Sequence, residues 1–351
     1  MTLDYRPLGQ TGITVSSLAL GTMTWGEQNT EADGHAQLDR ATDFGITLID
    51  TAESYSIPPR AETQGSTERI IGSWLKTRGG RDRIVLASKV AGPSDRTYMR
   101  ADGAPPRLDA QNITEAVEAS LRRLGTDYID LYQIHWPSRA LPLFGGGAHA
   151  PAREGLGAEV SIEETLEALS SLVTAGKVRH IGLSNETAWG LSRFLGLAER
   201  QGLPRVVSVQ NAYNLLNRKY ETGLAEFHER ERVGLLAYSP LAQGFLTGKY
   251  QNGARPEKAR LTLFDRGARY QKPGVAEAVD AYLRIARDFT LDPAQLAIAF
   301  VTSRPFVTSN IIGATTLEQL ETDLRSVDVR LTSDLESRIA EVYQRYGSPA
   351  P

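Results

Sequence analysis

Short apolar runs alternate with amphipathic stretches along most of the 351-residue chain. The runs are rich in β-branched and aliphatic residues and are bounded by glycine or polar residues, as expected of buried strands. Eight runs are predicted as strands: residues 17–21, 47–50, 84–89, 129–135, 178–183, 206–210, 234–238 and 310–312.

Each predicted strand is followed by a stretch in which apolar residues recur at helical spacing. The helices predicted in this way are residues 32–44, 66–76, 112–124, 162–175, 188–200, 220–229, 275–289 and 317–327. Eight alternating units imply parallel pairing and fit a (β/α)8 TIM barrel better than an open doubly wound sheet. We therefore predict an α/β fold in which residues 1–351 form one barrel domain. An N-terminal hairpin over 4–15 and two extra helices, 292–303 and 333–343, lie outside the repeat.

Polar residues recur at or just after the ends of the predicted strands. They are Asp50, Lys89, His135, Asn185, Gln210 and Tyr238. In a TIM barrel the functional groups come from the carboxyl ends of the strands, so these side chains are expected to meet on one face. Three connections, 90–110, 136–160 and 240–274, are too long for simple turns, and all follow strands. We expect them to cover that face and to form the walls of a substrate pocket.

Asp50, Tyr55, Lys89 and His135 together suggest proton-transfer chemistry. A tyrosine hydroxyl titrates near ~10 and is a poor acid at neutral pH. A lysine ammonium at ~4 Å, with an effective dielectric of ~20, favours the phenolate by about 4 kcal/mol and lowers the tyrosine pKa by up to roughly three units before burial opposes it. A buried lysine needs a counter-charge, which Asp50 supplies, and His135 can donate a hydrogen bond to a carbonyl oxygen. The set is suited to acid-assisted reduction of a carbonyl group.

Two other interpretations of these residues stay open at this stage. Asp50 and Lys89 could form a structural ion pair beside an unrelated tyrosine and a packed histidine. Lys89 at a barrel strand end could also serve as the Schiff-base amine of a class I aldolase.

A phosphate site is predicted at one strand–helix junction. No Rossmann fingerprint follows the first strand, and residues 244–250 match a P-loop only in part. Residues 312–319 instead place a glycine turn at a helix N-terminus after the eighth strand, where free N–H groups suit a phosphate.

Composition narrows the class of protein. The net charge is −3 without a basic tract, which disfavours a nucleic-acid surface. The absence of cysteine removes thiol chemistry and disulfides and fits a reducing compartment. No secretory leader, membrane-spanning run or metal-ligand spacing is found. We expect a soluble, cytoplasmic protein without metal, nucleic-acid or membrane partners; the sequence does not predict an oligomeric state.

The chain resembles the aldo-keto reductase superfamily over nearly its whole length. The matching segments are Leu20-Gly21-Thr22-Met23, Ile49-Asp50-Thr51-Ala52 with Tyr55, Ala87-Ser88-Lys89, Asp130 to Trp136, Gly176 to Arg179, Ile181 to Asn185, Val209 to Asn214, Ala237 to Leu241, Gly248-Lys249-Tyr250 and Gly313-Ala314-Thr315. Pro58-Pro59, residues 62–65 and the Pro349-Ala350-Pro351 ending further resemble the bacterial Tas-like branch, which is related to the β subunits of voltage-gated potassium channels.

The resemblance implies reduction of a small aldehyde or ketone with NADPH. Tyr55 would be the general acid, Lys89 and Asp50 its tuning pair, and His135 the donor to the carbonyl. Trp25 and Trp136 would wall the substrate pocket beside Tyr55 and His135. The alternative is a module that binds NADPH as a sensor with little turnover.

The resemblance also implies a set of NADP(H) contacts. Ser184, Asn185 and Gln210 would bind the nicotinamide carboxamide, and Tyr238 would stack on its ring. The 2′-phosphate would be held by Lys249, Arg260 and Thr315. The adenine end would meet Gln319, Thr322 and Asp323, and the pyrophosphate would meet Ser239, Leu241, Gln243 and Gly244. Further contacts are implied for Thr22, Met23, Asp50, Pro240, Ala242 and Gly313.

The sequence departs from the family pattern at two places. Ser56 follows the tyrosine where the family often has glycine, and a proline-rich insert, residues 57–65, comes next. An insertion or deletion relative to the channel subunits lies near Arg260. We expect the first departure to change substrate preference rather than the chemistry.

Overall fold

A computed structural model of the chain describes residues 3–145 and 157–351. Part of the predicted connection 136–160 therefore lies outside the described residues, namely 146–156. The chain begins with an antiparallel hairpin of β1 (Tyr5–Pro7) and β2 (Thr14–Ser16), as predicted.

Eight parallel strands follow and close into a barrel. They are β3 (Leu18–Gly21), β4 (Leu48–Asp50), β5 (Val85–Val90), β6 (Ile129–Ile134), β7 (Val178–Ser184), β8 (Val206–Ala212), β9 (Gly234–Tyr238) and β10 (Val307–Ile312). Strands pair in chain order, and β10 closes the barrel on β3 with Ile312 opposite Leu20. The predicted (β/α)8 barrel is confirmed.

Helices lie between the strands. They are α1 (Glu31–Phe44), α2 (Ser66–Arg78), α3 (Ala110–Leu124), α4 (Ile162–Thr174), α5 (Ala188–Gln201), α6 (Glu226–Glu231), α7 (Arg260–Phe264), α8 (Val275–Asp288), α9 (Pro293–Thr302), α10 (Leu317–Leu324) and α11 (Ser333–Tyr346). Several begin at a side chain that accepts a hydrogen bond from a free N–H of the first turn, which stabilises the helix start. These N-caps include Thr30, Asp109, Ser161, Thr187, Asp292, Thr316 and Thr332.

Two predicted helices and one predicted loop differ from the structure. The segment 220–229 is a 3-10 turn, Lys219–Glu221, and a short α6, because Gly223 has a φ of 94° between them. The segment 317–327 is α-helical only through Leu324 and continues as a 3-10 turn. The connection 240–274, predicted as a loop, contains the short helix α7.

The hairpin closes the amino end of the barrel. Leu8 and Val15 pack with Leu48 and Val207, which lie at the amino ends of β4 and β8. The turn passes so close to β8 that a Cβ at Gly9 would come within 2.8 Å of the Val207 carbonyl oxygen. Because this end is filled, the barrel opens only at the carboxyl ends of its strands.

Over residues 3–145 and 157–351, none of the helices has the length and hydrophobicity needed to cross a bilayer.

Candidate active site

A cavity of about 1750 Å³ opens at the carboxyl ends of the barrel strands. All three long connections contribute to its lining, through Arg96 from 90–110, Phe144 from 136–160 and Arg260 from 240–274. The predicted strand-end residues Asp50, His135, Asn185, Gln210 and Tyr238 also line it. The three connections therefore lie at the carboxyl ends of the strands, as their positions in the sequence predict.

Asp50, Lys89 and Tyr55 are in direct contact at the floor of this cavity. Nζ of the fully buried Lys89 donates to Asp50 Oδ2 and to the Thr51 carbonyl oxygen, each at 2.8 Å. The same nitrogen lies 3.4 Å from the hydroxyl oxygen of Tyr55. Since Lys89 lies behind Tyr55 and does not line the cavity, it can act on a bound molecule only through its neighbours.

The pKa of Tyr55 differs from the sequence-based expectation. Burial raises it well above the ordinary value of 10.0, and the charge of Asp50 raises it further. The expected lowering by Lys89 is not found, because the ammonium is paired with Asp50 and its charge is largely offset. Burial lowers the pKa of Lys89 itself, against the opposing effect of Asp50. The phenol of Tyr55 therefore keeps its proton at neutral pH.

His135 lies beside Tyr55 with the two rings edge to face and their centroids 5.4 Å apart. Burial lowers the pKa of His135 well below 6.5, and the charges of Lys89 and Arg96 lower it further, so the ring is neutral. Its Nδ1 lies 3.2 Å from Ser54 Oγ. A serine hydroxyl that donates to Nδ1 leaves the ring proton on Nε2, where it can be donated to a ligand.

A hydrogen-bonded layer of amide groups lies next to these residues. Gln210 Nε2 donates to Asp50 Oδ1 at 2.7 Å, and Gln133 lies within 3.5 Å of the same oxygen. Asn185 Nδ2 donates to the His135 carbonyl oxygen at 2.8 Å, and Tyr238 donates to Asn185 Oδ1 at 2.6 Å. The layer therefore links the ends of β4, β6, β7, β8 and β9.

The chain after β9 has a tightly coiled backbone. Ser239, Ala242 and Gln243 have positive φ values, between 49° and 58°, and Gly244 has a φ of 95°. This conformation turns successive peptide groups in a way that often forms a concave anion-binding surface. Ser239, Gln243 and Gly244 line the cavity.

Charged groups without hydrogen-bonded partners lie at the far end of the cavity. Within residues 3–145 and 157–351, neither Lys249 nor Arg260 has an ion pair. Burial lowers the pKa of Lys249, with Arg260 adding to the lowering and Asp323 opposing it. Asp323 Oδ2 and Gln243 Oε1 are buried and have no hydrogen-bond partner among the same residues. These groups are suited to a ligand with an anionic part and a hydrogen-bond donor.

The junction between β10 and α10 completes this end. Gly313 faces open space, and Thr315 donates from both its N–H and its hydroxyl to Gln319 Oε1 at 3.0 Å. Asn29 Nδ2 donates a hydrogen bond to the Thr315 carbonyl oxygen at 2.8 Å. The predicted glycine turn into a helix is therefore present and faces the cavity.

Most of the residues predicted for the site meet in this one cavity. The predicted residues that line it are Thr22, Met23, Asp50, Tyr55, His135, Trp136, Ser184, Asn185, Gln210, Tyr238, Ser239, Pro240, Leu241, Gln243, Gly244, Lys249, Arg260, Gly313, Thr315, Gln319, Thr322 and Asp323.

Three other predicted residues lie away from the cavity surface: Lys89, as described above, Trp25 and Ala242. The prediction that Trp25 walls the pocket is corrected: its side chain is fully buried and packs against Gly34 of α1. Ala242 is likewise fully buried. Ile57, from the insert after Tyr55, lies on the wall instead.

Several site residues were not predicted from the sequence. Gln133 had a detectable signal, because it is a polar residue at an inward position of β6, two residues after the interior Leu131. Ser54 and Arg96 lie in loops, where no periodic pattern distinguishes them.

The fold and the site define a class: a (β/α)8-barrel protein whose open end combines a buried lysine–aspartate pair, a tyrosine hydroxyl and a long cavity with cationic groups. The sequence profile of the Aldo/keto reductase family matches residues 17–344. The chain belongs to this family and is an oxidoreductase.

Three relatives illustrate the range of the similarity. Protein tas of Escherichia coli (strain K12) is 51% identical over 356 positions, covering 99% of this chain and 100% of that protein. Aldo-keto reductase YhdN of Bacillus subtilis (strain 168) is 32% identical, over 91% of this chain and 87% of its own. A probable voltage-gated potassium channel subunit beta of Arabidopsis thaliana is 31% identical, with 97% of both chains covered.

The family generally uses a nicotinamide dinucleotide, NADH or NADPH. The cavity fits such a molecule by its own chemistry. Among the residues that the structure describes, Lys249 and Arg260 have no hydrogen-bonded carboxylate, which suits phosphate, and Asp323 Oδ2 and Gln243 Oε1 have no partner and can accept from the base.

Proposed function

We propose that this protein reduces aldehydes and ketones to alcohols with NADPH. The observation that carries the proposal is the contact of a protonated, cavity-lining Tyr55 with the buried Lys89–Asp50 pair. Tyr55 can donate its proton, and the phenolate that remains is stabilised by the neighbouring positive charge of Lys89.

Tyr55 acts as the general acid in this proposal. A reduced nicotinamide, when bound, would supply the hydride, and with it two electrons, that the carbonyl carbon accepts. As negative charge develops on the carbonyl oxygen, Tyr55 transfers its hydroxyl proton there, so that C=O becomes CH–OH. Solvent then returns a proton to Tyr55. Lys89 stabilises the transient phenolate, at 3.4 Å, and Asp50 holds the ammonium in place.

His135 orients the carbonyl group. Its ring is neutral, and in this proposal Ser54 donates to Nδ1, so that Nε2 carries the ring proton and is the donor. A carbonyl oxygen that accepts from Nε2 and from the Tyr55 hydroxyl is fixed by two donors. Trp136, whose ring centroid lies 4.9 Å from that of His135, limits the space beside it.

The amide layer provides the nicotinamide end of the dinucleotide site. Ser184, Asn185 and Gln210 would bind the carboxamide, and Tyr238 would stack on the ring. Gln210 already positions an amide against Asp50 at 2.7 Å, and Tyr238 is fixed to Asn185 at 2.6 Å, so the layer is organised before a ligand binds.

The choice of NADPH rests on Lys249 and Arg260. Both lie in the cavity without an ion pair among the described residues, and the NADPH 2′-phosphate can bind two cations. The positive-φ segment around Gln243 and Gly244 suits the pyrophosphate, and Thr315 and Gln319, which line the cavity, would contact the 2′-phosphate and the adenine.

A steady-state assay tests this proposal. Absorbance of the reduced nicotinamide is followed with a panel of small reactive aldehydes, using NADPH and NADH in parallel. The proposal expects repeated turnover and a lower KM for NADPH, and Lys249→Met narrows the difference between the two cofactors. Folded protein that oxidises only one equivalent of NADPH would instead support a sensor with little turnover. Borohydride trapping of a substrate on Lys89 would support an aldolase.

A further inference from the structure

The part of the cavity near Trp136 contains more positive charge than the dinucleotide site uses. Besides Arg260, which the dinucleotide site uses, three arginine side chains line the cavity: Arg96, Arg266 and Arg269. Across the described ranges 3–145 and 157–351, none of the three guanidinium groups has an ion pair or a hydrogen bond to a carboxylate. Asp265, which also lines the cavity, pairs with Arg255 instead.

Arg96 lies against Trp136, the aromatic neighbour of His135. Its guanidinium carbon is 5.7 Å from the centroid of the Trp136 ring, which is itself 4.9 Å from the His135 ring. The guanidinium is therefore at most about 11 Å from His135, the sum of those two distances. The positive charge of Arg96 also acts on His135: it lowers the pKa of that histidine, although burial and the charge of Lys89 lower it more.

The environment of Arg96 is unfavourable for a free cation. Burial lowers its pKa, the neighbouring charge of Arg266 lowers it further, and Tyr98 and Asp95 oppose this lowering. Asp95 is exposed and makes no ion pair with Arg96, so solvent screens its effect. A half-buried guanidinium without a bound anion has lost part of its hydration and gained no charge-assisted hydrogen bond in return. An anionic ligand can supply that hydrogen bond.

The space between Arg96 and the reacting groups is apolar. Trp136 and Phe144 form an edge-to-face pair with ring centroids 6.2 Å apart, and Leu143 and Ile57 line the same cavity. Phe144 is 54% exposed although it contacts Trp136, which leaves aromatic surface for a ligand. The surroundings favour a substrate with an apolar body.

We propose that the preferred substrates are aldehydes or ketones that carry an oxyanion, a carboxylate or a phosphate, on an apolar or aromatic body. The carbonyl group binds at Tyr55 and His135, the body lies against Trp136 and Phe144, and Arg96 binds the oxyanion with Arg266 nearby. This inference rests on the proposed carbonyl reduction and adds its substrate class. The oxyanion takes no part in the transfer of hydride and proton, so it leaves the site unchanged in the product alcohol.

The first test compares matched substrates. 4-Formylbenzoate and its neutral methyl ester share one ring and one aldehyde and differ in a charge; 4-formylphenyl phosphate distinguishes phosphate from carboxylate. Wild-type protein is expected to have a kcat/KM about 10- to 100-fold higher for an anionic substrate than for the ester, as a charge-assisted hydrogen bond implies. Arg96→Gln reduces that ratio toward one, and Arg96→Lys retains part of it. Arg287→Gln, an exposed arginine of α8, is the control and keeps the ratio.

A binding measurement separates this inference from the proposed function. 4-(Hydroxymethyl)benzoate, the product alcohol, is titrated into the protein by calorimetry, with 1,4-benzenedimethanol as the neutral comparison. Binding of the carboxylate is expected to be about tenfold or more weaker in Arg96→Gln than in wild type. Equal binding by the two proteins, or turnover of the ester as fast as of the anions, overturns the inference and leaves the reductase intact. Carboxylate binding that depends on Arg96, without any turnover, supports the anion site and contradicts the reductase.

Discussion

The ammonium nitrogen of Lys89 lies 3.4 Å from the hydroxyl oxygen of Tyr55 and 2.8 Å from Oδ2 of Asp50. In the resting protein the aspartate offsets the charge of Lys89, and burial keeps Tyr55 protonated. Once the proton has left, the phenolate lies against an ammonium that is already in place. The contacts of Lys89 with Asp50 and Tyr55 therefore explain why Tyr55 keeps its proton before the reaction and why its phenolate is stabilised after proton transfer.

The Lys89–Asp50 pair is expected to be strongly coupled in stability. Lys89→Met leaves Asp50 charged and buried, so it costs about 3–5 kcal/mol of the free energy of unfolding. The Asp50→Asn/Lys89→Met double variant removes both charges and is expected to be more stable than Lys89→Met alone. Urea unfolding of wild type, Asp50→Asn, Lys89→Met and the double variant measures the coupling. Simple addition of the two single effects would show that the pair is not energetically linked.

The kcat for reduction is expected to change little with pH between the ordinary pKa of histidine and that of tyrosine. The pKa of Tyr55 is raised, so its acid form is fully present below the ordinary value of 10.0; that of His135 is lowered, so its neutral form is present above 6.5. With saturating substrate, kcat is expected to vary little from about pH 6.5 to 9. An alkaline limb centred near about pH 8, abolished by Lys89→Met, would mean that the charge of Lys89 rather than burial governs the pKa of Tyr55.

Ser54 is expected to set the tautomer of His135. Ser54→Ala removes the hydroxyl 3.2 Å from Nδ1, so the ring proton is no longer held on Nε2. We expect kcat to fall roughly tenfold, and the 15N shifts of the ring to report a mixture of tautomers. Ser56→Ala is the matched control, because the Ser56 hydroxyl has no hydrogen-bond partner in the described part of the chain. If the tautomer of His135 is unchanged in Ser54→Ala, Ser54 does not set it.

Asp323 is expected to destabilise the ligand-free protein at neutral pH. Burial and the charge of Asp292 raise its pKa well above 3.8, with Lys249 opposing, so the folded protein binds this proton more tightly than the unfolded chain. Stability therefore falls as the pH rises from about 4 through the raised pKa. Asp323→Asn cannot ionise and is expected to gain about 1–3 kcal/mol near pH 7 and little near pH 4.

Thermal or urea unfolding at several pH values checks the Asp323 prediction. Asp82→Asn, at an exposed position outside the cavity, is the control and should show no such gain. The prediction fails if Asp323→Asn is as stable as wild type at every pH.

Sequence patterns predicted the barrel because each strand and helix follows a regular spacing of apolar residues. They failed at Gly223, where one positive φ divides a segment of otherwise helical character. The strand-end residues were predictable for the same reason, since position on a parallel strand determines the face. The positions of Trp25 and Arg96 were not, because both lie in loops, whose paths depend on tertiary packing rather than on periodicity.

The acid role of Tyr55 is tested most directly by Tyr55→Phe. The substitution removes only the hydroxyl, so NADPH binding, measured by fluorescence titration, is expected to stay within about twofold while kcat falls by ~10² or more. Tyr98→Phe, at a partly exposed tyrosine outside the cavity lining, is the control and should keep full turnover. Normal turnover by Tyr55→Phe, with or without altered NADPH binding, would contradict the account.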